Sequence, residues 1–266
     1  MPSLTPQLRA EYQNLFDTCQ IRPNRQNTVE QLADKLVHNK SRYQTIEAST
    51  DVPWYIVAVI HNMEGSQNFT THLHNGDPLT ARTVHVPSGR PPTGSPPFSF
   101  EDSAIDALVF EKFDRVEDWT LPGALFRLEA FNGFGSRAHG INTPYLWSFS
   151  RHYTKGKFVA DGVFDPNAVS QQCGAAILLR RMGDDNVIAF PTTVPPSTAA
   201  EVSAAGAGVQ FSTTTKTIGA TRLQKSLNRF PGISTQLIPD GVPGNKTSSA
   251  FKEVTGSFLA GDPRAI

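Results

Sequence analysis

The chain has 266 residues, and its 24 Lys and Arg side chains balance 24 Asp and Glu side chains, so the formal charge is zero. Because charged residues make up only 18% of the chain, the composition gives no indication of nucleic acid or another polyion as a partner. Two cysteines, Cys19 and Cys173, exclude a disulfide framework and a multi-thiolate zinc site, and allow at most one bridge.

Helical spacing of apolar residues predicts helices over residues 8–16, 29–37, 103–113 and 168–182. A further helix is predicted after Pro53, where residues 54–64 are apolar on nearly every face, which is typical of a buried helix. Residues 69–87 change to an alternating pattern around Asn75-Gly76-Asp77 and predict a small β-hairpin. A Pro- and Gly-rich loop follows over residues 87–97.

Residues 191–215 are rich in Pro, Thr, Ala and Gly, with Glu201 as their only charge, and predict a flexible linker. We therefore expect a domain over residues 1–190 and a small module of three helices over residues 216–266. The expected fold class is α+β, mainly α. Apolar stretches fall far short of the roughly 20 residues of a membrane span, and the N-terminus lacks a secretory signal. We expect a soluble, monomeric protein that is made in the cytoplasm.

Glu64 is the leading catalytic candidate. A carboxyl group at the end of a deeply apolar helix is expected to be desolvated, which would raise its pKa and allow it to serve as a general acid. The alternative is an ordinary solvated Glu at a helix terminus.

Asp77 is a second candidate carboxylate, held in the predicted turn. Cleavage of a glycosidic bond needs such a pair, an acid for the leaving oxygen and a carboxylate that activates water or stabilises the sugar cation. Asp is also common in turns because it binds its own backbone. Thr83, on the following strand, is a candidate to hold a water molecule, and His74 is a further candidate for contact with the substrate.

The run Val52-Pro-Trp-Tyr-Ile-Val-Ala-Val-Ile-His-Asn-Met-Glu64, followed by Gly76 and Asp77, resembles the catalytic helix and loop of the lysozyme superfamily. In goose-type lysozymes and lytic transglycosylases a buried helix ends in the catalytic Glu. A second segment, Glu129-Ala-Phe-Asn-Gly-Phe-Gly135, is similar to the Ala-Tyr-Asn-Gly signature that lines their glycan cleft. The resemblance implies a lysozyme-like fold without cofactor, glycan contacts by Asn132 and Gly133, and cleavage of β-1,4 bonds between N-acetylmuramic acid and N-acetylglucosamine.

The sequence departs from this pattern at Phe131, which stands where the signature has Tyr. The missing hydroxyl would have to come from Tyr145 or Tyr153. These tyrosines and Trp147 lie in an aromatic segment, residues 144–158, where we expect side chains that stack on sugar rings; core packing is the alternative.

Four histidines, His61, His72, His74 and His85, lie close to the proposed site in the sequence. Together with Asp77 they suggest an alternative zinc site with Glu64 as general base, which would make the protein an amidase or peptidase. The spacing does not match a His-Glu-x-x-His motif, so we expect no bound metal.

Residues 219–259 resemble the common peptidoglycan-binding module, on a Leu-Gln-x-x-Leu-Asn helix from Leu223, an Asp-Gly-x-x-Gly turn from Asp240 and a Thr-x-x-Ala-Phe helix from Thr247. Residues 216–266 carry 7 basic and 3 acidic side chains, which suits an anionic polymer. The expected partner is peptidoglycan, reached after release or export. A lytic transglycosylase that uses Glu64 alone, and a cell-wall-binding protein without activity, remain alternatives.

Overall fold

The computed structural model describes residues 2–265, which form twelve α-helices and one two-stranded antiparallel sheet. This confirms the mainly α, α+β class. The chain divides into two compact units. The first contains the residues up to Ala48, Val52–Ala107 and Asp118–Thr192, and the second contains Ser49–Asp51, Leu108–Glu117 and the residues from Thr193 onward. Among the described residues no helix has the length and apolar character needed to cross a membrane.

Helix α1, Pro6–Asp17, begins where the Thr5 hydroxyl accepts a hydrogen bond from the backbone N–H of Leu8. A 3₁₀ turn, Pro23–Arg25, leads into α2, Gln26–His38, and α3, Lys40–Thr50, follows. Helices α1 and α2 agree with the helices predicted over residues 8–16 and 29–37, because their apolar residues recur at helical spacing on one face. Helix α3 was not predicted.

Helix α4, Trp54–Gly65, is the centre of the first unit. All ten residues from Trp54 to Met63 are buried. The prediction of a helix that is buried on most faces is therefore confirmed, and its last turn carries Glu64 to the protein surface.

The remaining helices of the first unit follow in chain order. They are α5 (Phe100–Phe110), α6 (Leu121–Asn132), the short α7 (Gly135–Ala138) and α8 (Pro144–Trp147), and α9 (Ala175–Asp184). The helix predicted from residue 168 begins only at Ala175. Residues before it are held as a loop, because the Asp165 carboxylate accepts hydrogen bonds from the backbone N–H groups of Asn167 and Ala168.

The β-hairpin lies at a different place from the predicted one. Strands β1, Lys157–Ala160, and β2, Val163–Asp165, pair on either side of a two-residue Asp161-Gly162 turn. The prediction of a hairpin over residues 69–87 is wrong: this segment contains only an isolated bridge between Thr71 and Pro78. Pro78 and Pro87 lack the N–H that a ladder requires, and the backbone N–H groups of Val84 and His85 bind the Asp77 carboxylate.

The second unit contains α10, Ala199–Gly206, α11, Ile218–Arg229, and α12, Asn245–Thr255. The prediction of a flexible linker over residues 191–215 is therefore wrong for α10. Thr198 and Glu201 form a reciprocal capping box at its start, and Val202 is fully buried in the core of the unit. Leu223, Leu227, Leu237 and Ala250 belong to the same core.

Polar residues of the Leu-Gln-x-x-Leu-Asn helix hold the loop between α11 and α12. The buried side-chain amide of Gln224 donates to Asp240 and Thr247 and accepts from the backbone N–H of Gly241. Asn228 makes two hydrogen bonds with the backbone of Leu237. The helix and the Asp-Gly turn are thus joined through the residues of the motif.

Segments from earlier in the chain complete the second unit. Asp51 forms ion pairs with Arg222, at 3.1 Å, and with the buried Lys225, at 3.4 Å. Glu117 accepts a hydrogen bond from the Asn228 amide at 3.1 Å. This unit is therefore larger than residues 216–266.

Candidate active site

Glu64 lies in the last turn of α4 and is exposed. Ser66 ends the helix in the left-handed conformation, at φ 49°, and the Gln172 side chain donates to the carbonyl of Met63 at 2.6 Å. Glu64 was expected to be buried with the rest of the helix, but the buried residues of α4 end at Met63. Glu64 is instead presented to solvent on a rigid support.

Tyr145 supplies the hydroxyl that Phe131 lacks. Its phenol donates to Glu64 Oε1 at 3.0 Å. Burial, reinforced by the negative charge of Glu64, raises the pKa of Tyr145 well above its ordinary value, so the phenol stays protonated and remains a donor.

Helix α8 fixes the position of Tyr145. Thr143 caps this helix by accepting from the backbone N–H of Tyr145 at 3.3 Å. The ring of Phe131 lies 6.3 Å from the ring of Tyr145 in an edge-on arrangement. The aromatic core therefore holds the phenol while its hydroxyl reaches the carboxylate.

Asp77 organises its own loop. Its Oδ1 lies 2.5 Å from His85 Nδ1, and its Oδ2 accepts from the backbone N–H groups of Val84 and His85 at 2.8 and 3.0 Å. Hydrogen bonds from the His85 ring and backbone lower the pKa of the Asp77 carboxyl to about 2. These contacts are those of a carboxylate that closes a loop, the role that turn chemistry suggested as the alternative to catalysis.

Thr83 stabilises the following turn. Its hydroxyl donates to the carbonyl of Pro87 at 2.5 Å and accepts from the N–H of Arg90 at 2.9 Å. Because the side chain is only 3% exposed, these internal bonds replace the predicted contact with a water molecule.

His74 belongs to a partly buried cluster with Asp106 and Arg90. Its Nε2 lies 2.9 Å from Asp106 Oδ2, and Arg90 binds both oxygens of the same carboxylate. This arrangement joins the loop to α5. It places His74 in a structural network, in contrast to the predicted contact with substrate.

The histidines that suggested a zinc site have separate partners. His61 Nδ1 lies 3.0 Å from the Tyr43 hydroxyl, and burial lowers the pKa of His61 to about 4. His72 lies between the Ser103 hydroxyl and the carbonyl of Ala81. Within residues 2–265 no three His, Cys, Asp or Glu side chains converge on a point where they could hold a metal ion.

Trp147 and Tyr153, predicted to lie in a cleft wall, are buried in the core, and Trp147 also lines a small cavity together with Glu129. Trp147 is 1% exposed, and Tyr153 is 3% exposed. The Tyr153 hydroxyl accepts from the backbone N–H of Ser170 at 3.1 Å and thereby holds the loop that precedes α9. Neither ring offers a free face to a sugar.

Asn132 and Gly133 line an open cleft of about 480 Å³. Gly133 ends α6 at φ 93° and ψ 151°, a conformation that side chains with a Cβ rarely adopt. The hairpin formed by β1 and β2 provides the opposite wall.

A buried ion-pair cluster supports this turn and was missed by the sequence analysis. Glu129, 1% exposed, accepts from the Tyr12 hydroxyl at 2.6 Å and from Arg137 Nε and Nη2 at 2.8 and 2.9 Å. Glu11 binds the remaining Nη1 at 2.7 Å. The sequence contained one indication of this cluster. Glu129 is the only carboxylate of α6, and it lies one turn before the Asn132-Gly133 turn.

The structure thus brings together Glu64, Tyr145 and, through Phe131, the Asn132-Gly133 turn. Comparison with protein families, with curated proteins and with solved structures found no match to this chain. The functional argument therefore depends on the chemistry of these residues.

Proposed function

We propose that the chain is a peptidoglycan-degrading glycoside hydrolase that cleaves the β-1,4 bond between N-acetylmuramic acid and N-acetylglucosamine, with Glu64 as the general acid. The observation that carries this proposal is the 3.0 Å hydrogen bond from the buried Tyr145 hydroxyl to the exposed Glu64 carboxylate. A carboxyl group that faces solvent and is fixed from behind can reach a glycan strand in a defined orientation.

The chemistry follows from this geometry. The phenol can donate to Oε1 whether or not the carboxyl group is protonated, so it holds the carboxyl plane through the catalytic cycle. Glu64 gives its proton to the glycosidic oxygen as the bond to the anomeric carbon breaks. A water molecule that adds to the resulting sugar cation returns a proton to the carboxylate.

A lytic transglycosylase is the second candidate, and the contacts of Asp77 favour it. Both oxygens of that carboxylate are engaged by the loop around His85, which leaves Glu64 as the carboxylate at the proposed cleavage point. The muramyl C6 hydroxyl would then attack the anomeric carbon in place of water and would give up its proton to Glu64. The product would be an anhydromuramyl end.

Digestion of purified sacculi, with identification of the new ends by mass spectrometry, tests both candidates. We expect Glu64→Gln to lower the rate of cleavage by about 100-fold or more. Glu30→Gln, on an exposed Glu of α2 that pairs with Arg181, is the matched control and should leave the rate unchanged. Retention of full activity by folded Glu64→Gln would contradict the proposal.

The chemical nature of the ends separates the two mechanisms. Reducing muramyl ends indicate hydrolysis, and anhydromuramyl ends indicate transglycosylation. Asp77→Asn serves as the second arm: a loss as large as that of Glu64→Gln would assign Asp77 to the reaction, whereas a small loss would agree with its role in the loop.

We also propose that the second unit binds cell-wall glycan, on the basis of the motif residues Gln224 and Asn228 and their hydrogen bonds. A protein that binds sacculi and releases neither new glycan ends nor peptides would be a wall-binding protein without catalysis. Release of peptides that is abolished by a chelator would instead support the zinc-dependent alternative.

A further inference from the structure

The cleft beside the Asn132-Gly133 turn has an exposed aromatic wall. Phe158, on strand β1, is 39% exposed, and its neighbour Val159 is 51% exposed. Exposed apolar side chains that line a concave surface mark sites of ligand contact more often than side chains scattered singly. The volume of about 480 Å³ lies within the range of small-ligand sites, roughly 300 to 1,000 Å³.

The hairpin holds Phe158 firmly enough for it to serve as a binding surface. Phe158 pairs across the sheet with Phe164, and the two ring centroids lie 5.3 Å apart. His139 stacks in parallel on Phe164 at 3.8 Å. Because these rings support Phe158 from one side, its orientation is defined before a ligand arrives.

Gly135 allows the Phe158 ring to lie against the opposite wall. A Cβ on this residue would come within 2.8 Å of Phe158 Cε2, closer than side chains pack. The absence of a side chain at residue 135 therefore creates the contact between hairpin and turn. It also sets the width of the cleft at the aromatic ring.

The polar lining indicates an uncharged ligand. Asn132 contributes a side-chain amide with two donors and an acceptor, and Asp161 is the only charged residue among the described residues that line the cleft. A surface without Lys or Arg does not attract phosphates or other anions. An aromatic face next to an amide suits a sugar ring that carries hydroxyl and acetamido groups.

The cleft is linked to the proposed catalytic residue by a chain of neighbouring contacts through α6. Asn132 follows Phe131, whose ring lies 6.3 Å from that of Tyr145, and Tyr145 binds Glu64. A sugar subsite in this cleft requires that a glycan strand bound at Glu64 also passes the Asn132 turn.

We infer that this cleft is a sugar subsite in which one N-acetylhexosamine ring of the strand stacks on Phe158 and hydrogen-bonds Asn132. The inference rests on the proposed glycan-cleaving function. The hairpin of β1 and β2 is not part of the sequence resemblance. Under this inference it contributes to the affinity for the glycan strand.

Binding of peptide-free glycan strands, prepared by amidase digestion of sacculi, tests the subsite in the full-length Glu64→Gln protein by calorimetry. Phe158→Leu keeps apolar volume beside Gly135 and removes the ring, and we expect the Kd to rise by about five- to tenfold. Phe158→Tyr keeps the ring and should bind within about twofold of the parent.

Val163→Ala is the matched control, because Val163 is 54% exposed on the same hairpin and is not among the residues that line the cleft. It should leave the Kd within about twofold of the parent. Asn132→Ala provides a second arm that does not depend on the hairpin, and we expect it to raise the Kd by about three- to tenfold.

The outcomes are distinguishable. If the wild-type protein cleaves the strands and Glu64→Gln does not, unchanged Kd values for Phe158→Leu and Asn132→Ala overturn the subsite and leave the proposed function intact. If wild-type protein does not cleave them, both fail. A dimer in sedimentation that Phe158→Leu dissociates would assign the apolar wall to self-association and would also overturn the subsite.

Discussion

The buried carboxylate of Glu129 is the point at which a small chemical change should have a large structural effect. Glu129→Gln preserves the shape of the side chain but replaces one oxygen by an NH₂ group. All three groups that face Glu129, the Tyr12 hydroxyl and two N–H groups of Arg137, are donors. At least one donor must then face another donor, whichever way the amide turns.

The less costly orientation places the amide nitrogen opposite Arg137 Nε, since the other oxygen position serves both Tyr12 and Nη2. The substitution then loses one charge-assisted hydrogen bond and leaves the guanidinium with Glu11 as its partner. A hydrogen bond to a charged group contributes about 1.5 to 3 kcal/mol, and breaking a buried ion pair costs about 3 to 5 kcal/mol. Because Arg137 is 31% exposed and keeps Glu11, we expect a loss of about 2 to 4 kcal/mol in the free energy of unfolding.

Urea unfolding followed by tryptophan fluorescence measures this loss, since Trp147 and Glu129 line the same small cavity. The matched control is Glu11→Gln, which removes the carboxylate charge of a residue whose side chain is 44% exposed. It should lower the free energy of unfolding by less than about 1 kcal/mol. If the two variants are destabilised equally, the burial of Glu129 does not decide its contribution, and the reasoning is refuted.

Three further predictions concern the loop, α8 and the thiols. The pKa of Asp77 is lowered to about 2 in the folded protein, so its hydrogen bonds stabilise the loop fully above the unfolded pKa of about 3.9 and are lost as the pH falls toward 2. Limited proteolysis of residues 78–98 should therefore be faster at pH 2 than at pH 4, and Asp77→Asn should be cleaved rapidly at pH 7. Equal cleavage of the variant and the wild-type protein at pH 7 would refute this role. Gly174→Ala should lower the Tm by several degrees and reduce cleavage activity, because the new Cβ would overlap the backbone carbonyl of Leu146 in α8; an unchanged Tm would contradict this packing. Cys19 and Cys173 are buried free thiols, and burial raises the pKa of Cys19 to about 11. Ellman's reagent should therefore label both thiols slowly in the folded protein at pH 8 and rapidly in urea. Fast labelling of the folded protein would contradict this prediction.

The helices could be predicted where the spacing of apolar residues shows which face is buried. In α4 the residues after Pro53 are apolar on nearly every face, which is typical of a buried helix, and in α11 the Leu223 and Leu227 positions fall on one face. The sequence also predicted that α4 ends close to Glu64, because this acidic residue follows the apolar run.

The hairpin was misplaced because two turn signals compete in the sequence. Asn75-Gly76 and Asp161-Gly162 are both two-residue turn pairs of the kind that favours a hairpin. The first is followed by Pro78, and its neighbour Asp77 captures the backbone of residues 84 and 85, so a loop forms there. The second is flanked by Phe158 and Phe164, whose cross-strand contact stabilises pairing.

The contact between Tyr145 and Glu64 could be suspected from sequence but not fixed by it. The missing hydroxyl at Phe131 indicated that another tyrosine would serve, and Tyr145 and Tyr153 were equal candidates. The choice depends on how α8 packs, where Thr143 caps the helix and the chain beyond it turns away. Such packing is set by contacts between residues that are distant in sequence, which local patterns do not encode.

The segment between the predicted domains shows how composition can mislead. Small residues suggested a flexible tether, but Ala has the highest helix propensity, and Thr198 with Glu201 supplies a capping box. Before this helix, the ring of Phe190 packs 5.4 Å from Tyr55, and after it Val209 enters the core of the second unit.

These anchored ends change how a wall-binding module would assist catalysis. A flexible tether raises the local concentration of a lytic domain only if its length lets both parts engage the polymer. The anchors at Phe190 and at Ser197, which binds the Arg229 carbonyl, leave six residues, 191–196, three of them proline. Since the second unit also draws Asp51 and Glu117 from earlier in the chain, it is not a module that one cut can release. The proposed wall binding by this unit is therefore tested by point substitutions in the intact protein, because truncation at residue 191 or 215 would separate the unit from Asp51 and Glu117.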